Sequence, residues 1–231
     1  MPGTSTPYTQ EMIMIHRVFR REAAQLRQYV GAVRSGDVAR ARQLAGVVRE
    51  YIGGLHHHHS GEDELIWPLL HARAQVHDDL VTRMEKQHEA LDGTLTEIQY
   101  LLPQWEAAAE ETDRDELVAA LAAHERILQQ HLADEEGLVM PLVEEHLTLA
   151  EWERVGKNGL EGMPKNRIFL ALGAILEDAT PVERAEFLKK VPLPGRIAWK
   201  LVGQRQYRSW RAAIRGDEAA APAGRVQGGT P

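Results

Sequence analysis

The chain has no cysteine, and that absence excludes disulfide cross-links, thiolate metal sites and thiol catalysis. No apolar run reaches the roughly 18 residues that a membrane-spanning helix needs. The opening residues Met1-Pro2-Gly3-Thr4-Ser5 lack the basic-then-apolar pattern of a secretory signal. Strand-type alternation of apolar and polar residues is nearly absent as well. These gaps predict an all-α, cytoplasmic protein with no membrane span. With 231 residues, of which 43% are hydrophobic, it can bury one ample core or a core with an appendage.

Charge is unevenly spread. Residues 1–149 carry 13 Lys and Arg against 25 Asp and Glu, whereas residues 150–231 carry 14 against 9. An acidic first part and a basic last part predict mutual docking, or a basic face for an anionic partner. A free nucleic-acid binder is not predicted, because most of the chain would repel phosphate.

What is present is helical periodicity. Met12, Ile15, Phe19, Ala23, Leu26 and Val30 recur at three- and four-residue steps, marking a helix from about Thr9 to Val33. Ser35-Gly36-Asp37 supplies a stop and an N-cap. A second helix from Val38 carries Leu44, Val48, Tyr51, Leu55, His58, Glu62 and Ile66 on one stripe, with a weak point at Gly53-Gly54. A third spans about Asp78 to Leu102, closed by Pro103. A fourth runs from Asp113 to about Met140 with Leu117, Leu121, His124, Leu128, His131, Glu135 and Leu138 inward. Four such helices with short links predict an up-down-up-down bundle over residues 1–147. Shorter helices follow at 148–163, 164–179, 180–191 and 195–215, forming an extension (148–215) packed on the bundle. The last of these sets Ile197, Leu201, Trp210 and Ile214 against a row of Lys and Arg. Residues 216–231, rich in Ala, Pro and Gly, are predicted to be disordered.

Two stretches repeat one arrangement. His58-x-x-x-Glu62 precedes Pro68, and His131-x-x-x-Glu135 precedes Pro141, all offset by 73 residues. His16 and His88 lie 42 and 43 residues upstream of those pairs. Side chains at i and i+4 on a helix differ by only about 40°, so each pair presents an imidazole beside a carboxylate. Proline cannot donate to the carbonyl four residues back, so Pro68 and Pro141 should each kink or end a helix. A lone histidine on an apolar face is usually a core residue, and an isolated H-x-x-x-E is usually an ion pair. Two copies in register, each with its upstream histidine, predict instead a metal site of His16, His58, Glu62, His88, His131 and Glu135. Four imidazoles and two carboxylates suit a pair of iron ions with an oxo or hydroxo bridge. Structural zinc favours cysteine, and manganese wants more oxygen ligands.

Further positions follow from the register. Tyr51 and His124 sit seven residues before His58 and His131, again 73 apart. They are candidates to line the open side of the site, or to fill the core. His59 lies about 100° round the helix from His58 and is expected to point outward or to support a ligand. His59, Tyr51 and His124 are the candidates for any further ligand. Asp63, Glu64 and Glu136 are expected to be solvated or to support the ligand histidines.

The set His16, His58-x-x-x-Glu62, His88, His131-x-x-x-Glu135 resembles the hemerythrin-like (HHE cation-binding) domain, over about residues 8–146. The resemblance implies a four-helix bundle holding a non-haem di-iron centre. It departs from the family's oxygen carriers, which have a further histidine where Asp92 stands and an Asp where Glu136 stands. It is closer to bacterial members, with C-terminal helices similar to those of actinobacterial ones, and to the iron- and oxygen-sensing domain of a eukaryotic ubiquitin-ligase subunit. It implies binding of, or reaction with, O2, hydrogen peroxide or nitric oxide in stress handling, with peroxidase-, catalase- or NO-reductase-like chemistry as candidates. The alternatives are an iron- or oxygen-sensing interaction protein, and storage of oxygen or iron without turnover.

Overall fold

Apolar residues at three- and four-residue steps wind the first part of the chain into four long rods. In the computed structural model, which describes residues 7–161 and 163–216, these are α1 (Gln10–Gly31), α2 (Val38–Leu65), α4 (Asp78–Ala108) and α5 (Glu111–Asp134). Short α3 (Trp67–Arg73) and α6 (Met140–His146) prolong the second and fourth rods. No strand occurs among the described residues, and the disorder expected of residues 216–231 falls, from 217 onward, outside them. Around the bundle α1 packs on α5, α5 on α4, α4 on α2 and α2 on α1. Asp37 caps α2 by accepting from the Arg40 N–H at 3.0 Å, satisfying one donor that a helix start leaves unpaired.

Proline shapes the rods in three ways. Pro68 falls in the first turn of α3, where its missing N–H costs little, and the chain breaks at Ile66 between α2 and α3. Pro141 sits likewise in the first turn of α6, and the helix before it widens into a π turn over Glu135–Val139. Pro103 departs from expectation, because α4 runs through it and stops at Ala109 in the left-handed region, φ 53°. The continuation buries Trp105 and brings Ala109 into the core. Burying an aromatic side chain of about 150–250 Å² contributes about 4–6 kcal/mol, enough to offset the ~3 kcal/mol of an interior proline.

The π turn corrects a second expectation. It admits an extra residue, which advances the inward register by one. Leu138 is consequently 46% exposed and Val139 takes the core position at 0%.

Two apolar clusters fill the bundle and leave a polar layer between them. Leu26, Val30, Leu44, Leu55, Leu91, Ile98, Trp105 and Leu128 pack one end. Met12, Ile66, Trp67, Leu70, Met84, Val139 and Met140 pack the other. His16, Glu62, His88 and Glu135 each fall between the two sets along their own rods.

The remaining helices are α7 (Leu149–Asn158), α8 (Ile168–Glu177), α9 (Pro181–Lys190), α10 (Leu193–Ala198) and α11 (Gln204–Arg215), with a π turn at Trp199–Gly203. Leu172, Leu176, Trp199 and Tyr207 form a small core. Gly173 permits it: a Cβ there would stand 2.2 Å from the Tyr207 ring. The extension meets the bundle through ions and apolar anchors, among them Trp152 of α7 in the second cluster. Arg17 forks onto Glu183 at 2.9 Å, Arg215 reaches Glu22 at 2.9 Å, and Ile214 joins the bundle core. The apolar stripe expected on the last helix is corrected here. Trp199 and Tyr207 turn inward, while Ile197 and Leu201 stay exposed.

Candidate metal centre

The polar layer brings the six repeat-derived side chains together. His58 Nε2 lies 3.2 Å from Glu62 Oε1, and His88 Nε2 lies 3.5 Å from Glu62 Oε2. Across the bundle, Glu135 Oε2 lies 3.3 Å from His16 Nε2 and 3.6 Å from His131 Nε2. Each carboxylate thus stands between two histidines from different helices. Two overlapping groups result, His16-His58-Glu62-Glu135 and His59-Glu62-His88-His131, each with ligand atoms within 4.8 Å of one another. Glu62 belongs to both.

Of the two positions expected for His59, the outward one is corrected. The residue is only 2% exposed, and its ring stacks on His88 at 4.2 Å. Helix α2 is covered by α1, α4 and α7, so the enclosed arc is wide enough to take in two consecutive residues. Within the run His56–His59 the repeat singled out His58 alone, and nothing in it marked His59 as inward, since that depends on the neighbours.

The outer nitrogens of three histidines are tied down. Asp63 Oδ1 meets His88 Nδ1 at 2.7 Å, Glu136 Oε1 meets His16 Nδ1 at 3.0 Å, and Gln87 Oε1 meets His131 Nδ1 at 3.2 Å. Gln87 Nε2 donates to Asp134, which leaves its oxygen to accept from His131. Each ring therefore carries its proton on Nδ1 and turns the Nε2 lone pair inward, the orientation a metal ligand needs. Asp63 and Glu136 are themselves 73 residues apart. The repeat thus extends to the carboxylates that orient the lone histidines. Gln87 has no such signal.

The centre is polar without internal partners. Nε2 of His16, His58, His88 and His131, both ring nitrogens of His59, and both oxygens of Glu62 and Glu135 are buried without a hydrogen bond. A buried polar atom left unpaired costs on the order of 1–3 kcal/mol, so a cluster of this size calls for a cation. The donor set fits one: imidazole lone pairs and carboxylate oxygens on facing helices. Burial, and then the nearby Glu135, push Glu62 well above the usual carboxylate range. Burial and neighbouring imidazoles hold His58 and His59 far below the ordinary histidine value and His131 at about 2. All three are therefore neutral and able to ligate.

The family model described as Hemerythrin HHE cation binding domain matches residues 9–145, more than half of the chain. The chain belongs to the hemerythrin HHE cation-binding domain family. No curated protein and no solved structure matches it. In this HHE protein the match spans the four rods and every side chain of the two ligand groups.

Tyr51 and His124 lie next to this centre and bind each other. The Thr94 hydroxyl donates to the Leu91 carbonyl at 2.6 Å, so its oxygen accepts from His124 Nδ1 at 2.7 Å. Nε2 of His124 is left to accept from the Tyr51 hydroxyl at 2.7 Å. The Phe19 ring stands between Tyr51 and His58, with centroids 6.2 Å and 5.0 Å away. Burial lowers His124 to about 4 and raises the Tyr51 phenol.

A pH dependence follows. A histidine near 6.5 when unfolded and about 4 when folded stabilises fully above 6.5, and that contribution is lost as pH falls toward 4. The slope is at most about 1.4 kcal/mol per pH unit. The His124→Gln variant can keep both hydrogen bonds but does not titrate. Its melting temperature should fall less than that of the wild type between pH 6.5 and 4. Parallel curves would refute the assignment.

Proposed function

We propose that this HHE-domain protein is a non-haem di-iron protein that binds or reacts with a small oxidant, O2, hydrogen peroxide or nitric oxide, in handling oxidative or nitrosative stress in the cytoplasm. In this reading residues 1–147 hold the metal pair and 148–215 form a helical extension. The carrying observation is the closed set of inward nitrogens and carboxylate oxygens without partners, divided into two groups that share Glu62. Five imidazoles and two carboxylates, with no thiolate, favour iron over structural zinc.

A bound iron pair would supply redox equivalents and an electrophilic position for the oxidant. The chain's own residues do the rest. His16, His58, His59, His88 and His131 with Glu62 and Glu135 would hold the ions. Asp63, Glu136 and Gln87 keep the protons of His88, His16 and His131 on the outer nitrogens. The two apolar clusters keep water from both ends of the layer. Tyr51 holds a proton on its bond to neutral His124, a donor and acceptor pair within two helical turns of His58 and His131.

Anaerobic loading with ferrous iron, metal analysis, and absorption spectra after each oxidant test the proposal. About two irons per chain and a spectral change with at least one oxidant are expected. A preference for zinc, or spectra indifferent to all three, would overturn it.

One observation favours a second reading, sensing with transmission to the C-terminal helices. The carbonyl of Asn158, at the end of α7, accepts from His57 Nε2 at 2.8 Å, and its side chain lies where a Cβ on Gly61 would be, 2.6 Å away. The extension therefore touches the turn of α2 that carries His58 and Glu62. Metal-dependent protease sensitivity of residues 150–215, without consumption of any oxidant, would select this reading.

A further inference from the structure

The C-terminal extension leaves one face unclaimed. Between Glu186 and Asp217 the chain has no acidic residue but eight basic ones. Trp199, Tyr207 and Ile214 turn toward the protein. On the opposite side Leu193, Ile197, Leu201 and Val202 are 60%, 51%, 75% and 56% exposed. The first three recur at four-residue steps and so form a ridge along α10 and the π turn after it. Lys200, Arg205 and Arg208 beside the ridge are exposed and make no ion pair with the described residues. By contrast, Arg17, Arg211 and Arg215 are engaged with acidic partners.

We propose that this face docks reversibly on an anionic lipid surface. Aliphatic tips in the middle with lysine and arginine at the border match the layering of a membrane interface. There the tips enter the acyl boundary, while long basic side chains reach the headgroups. Cations near such a surface are attracted by its negative potential. The bundle, with its excess of acidic residues, is repelled from the same surface, which orients the molecule with the extension toward lipid. Charge also argues against a second copy as the occupant. Pairing this face with itself across a two-fold axis would bring cation against cation. The ridge has no exposed aromatic ring on which a nucleic-acid base could stack.

Sedimentation of the full metal-loaded chain with vesicles tests this. Vesicles of phosphatidylcholine with one-third phosphatidylserine should carry the protein down, vesicles of phosphatidylcholine alone should not, and high salt should weaken the binding. Each basic residue removed should cost about fivefold in apparent affinity. The K200E/R205E/R208E variant should therefore lose at least about a hundredfold. Leu201→Asp should weaken binding about tenfold or more, because it places a charge in the apolar ridge. All four positions are exposed, so unchanged melting and metal content would show that the fold persists. No binding to the mixed vesicles, equal binding to neutral ones, or indifference to charge reversal would overturn the proposal. So would self-association abolished by Leu201→Asp, or a preference of the same face for RNA over lipid.

Discussion

Replacing Glu62 with alanine is expected to empty both halves of the centre, from about two metal ions per chain to nearly none. The reason is geometric. Glu62 alone belongs to both ligand groups, with one oxygen toward His58 and the other toward His88. Glu135 stands in one group only, but its Oε2 lies between His16 of that group and His131 of the other, so its removal should also cost both ions. Asp63→Asn acts on His88 only through its Nδ1 hydrogen bond. It should cost no more than about 10–100-fold in metal affinity. Misfolding can be told apart from ligand loss. In metal-free protein, Glu62→Ala removes a buried carboxylate that has no partner, so it should melt at or above the metal-free wild type. Retention of a single tightly held ion by Glu62→Ala would show that the two groups fill independently.

Removing the metal should have the second large effect. The unfolded chain has no preformed site, so metal-binding free energy is folding free energy. A metal present at about a thousand times its dissociation constant contributes about 4 kcal/mol. For a chain of this size that is roughly 8–16 °C in melting temperature. Chelation should accordingly lower the melting temperature by about 10 °C or more. Amide exchange should quicken first around His58–Glu62 and the π turn Glu135–Val139, where the ligands sit, and last in the apolar cluster around Leu44, Ile98 and Trp105. Superimposable melting curves with and without metal would contradict this account of the orphaned nitrogens and oxygens.

Much of the centre could be read from the sequence because a helix has a fixed period. Once His58 and Glu62, or His131 and Glu135, lie on a helix, they must share a face. The 73-residue offset then pairs the two halves. The same offset links Asp63 to Glu136 and Tyr51 to His124, and it extends the pattern to the groups that orient the ligands. The helical class and the breaks near Pro68 and Pro141 follow from equally local rules.

The rest depended on contacts between helices. Proline normally ends a helix, but burial of Trp105 beyond Pro103 outweighs its local cost. His59 turns inward because α1, α4 and α7 cover a wider arc of α2 than one stripe. The π turn exchanges Leu138 for Val139 in the core, a shift that the periodicity of a regular helix cannot contain. The last helices carry apolar side chains on two sides, and only packing against α8 and the bundle chose Trp199 and Tyr207 over Ile197 and Leu201. By itself the sequence determined the helices, their repeat and the side chains fit to ligate a cation, because these follow from local spacing. Tertiary structure decided which faces are enclosed and which are left to solvent, because burial is a property of the surfaces that neighbouring helices present to one another.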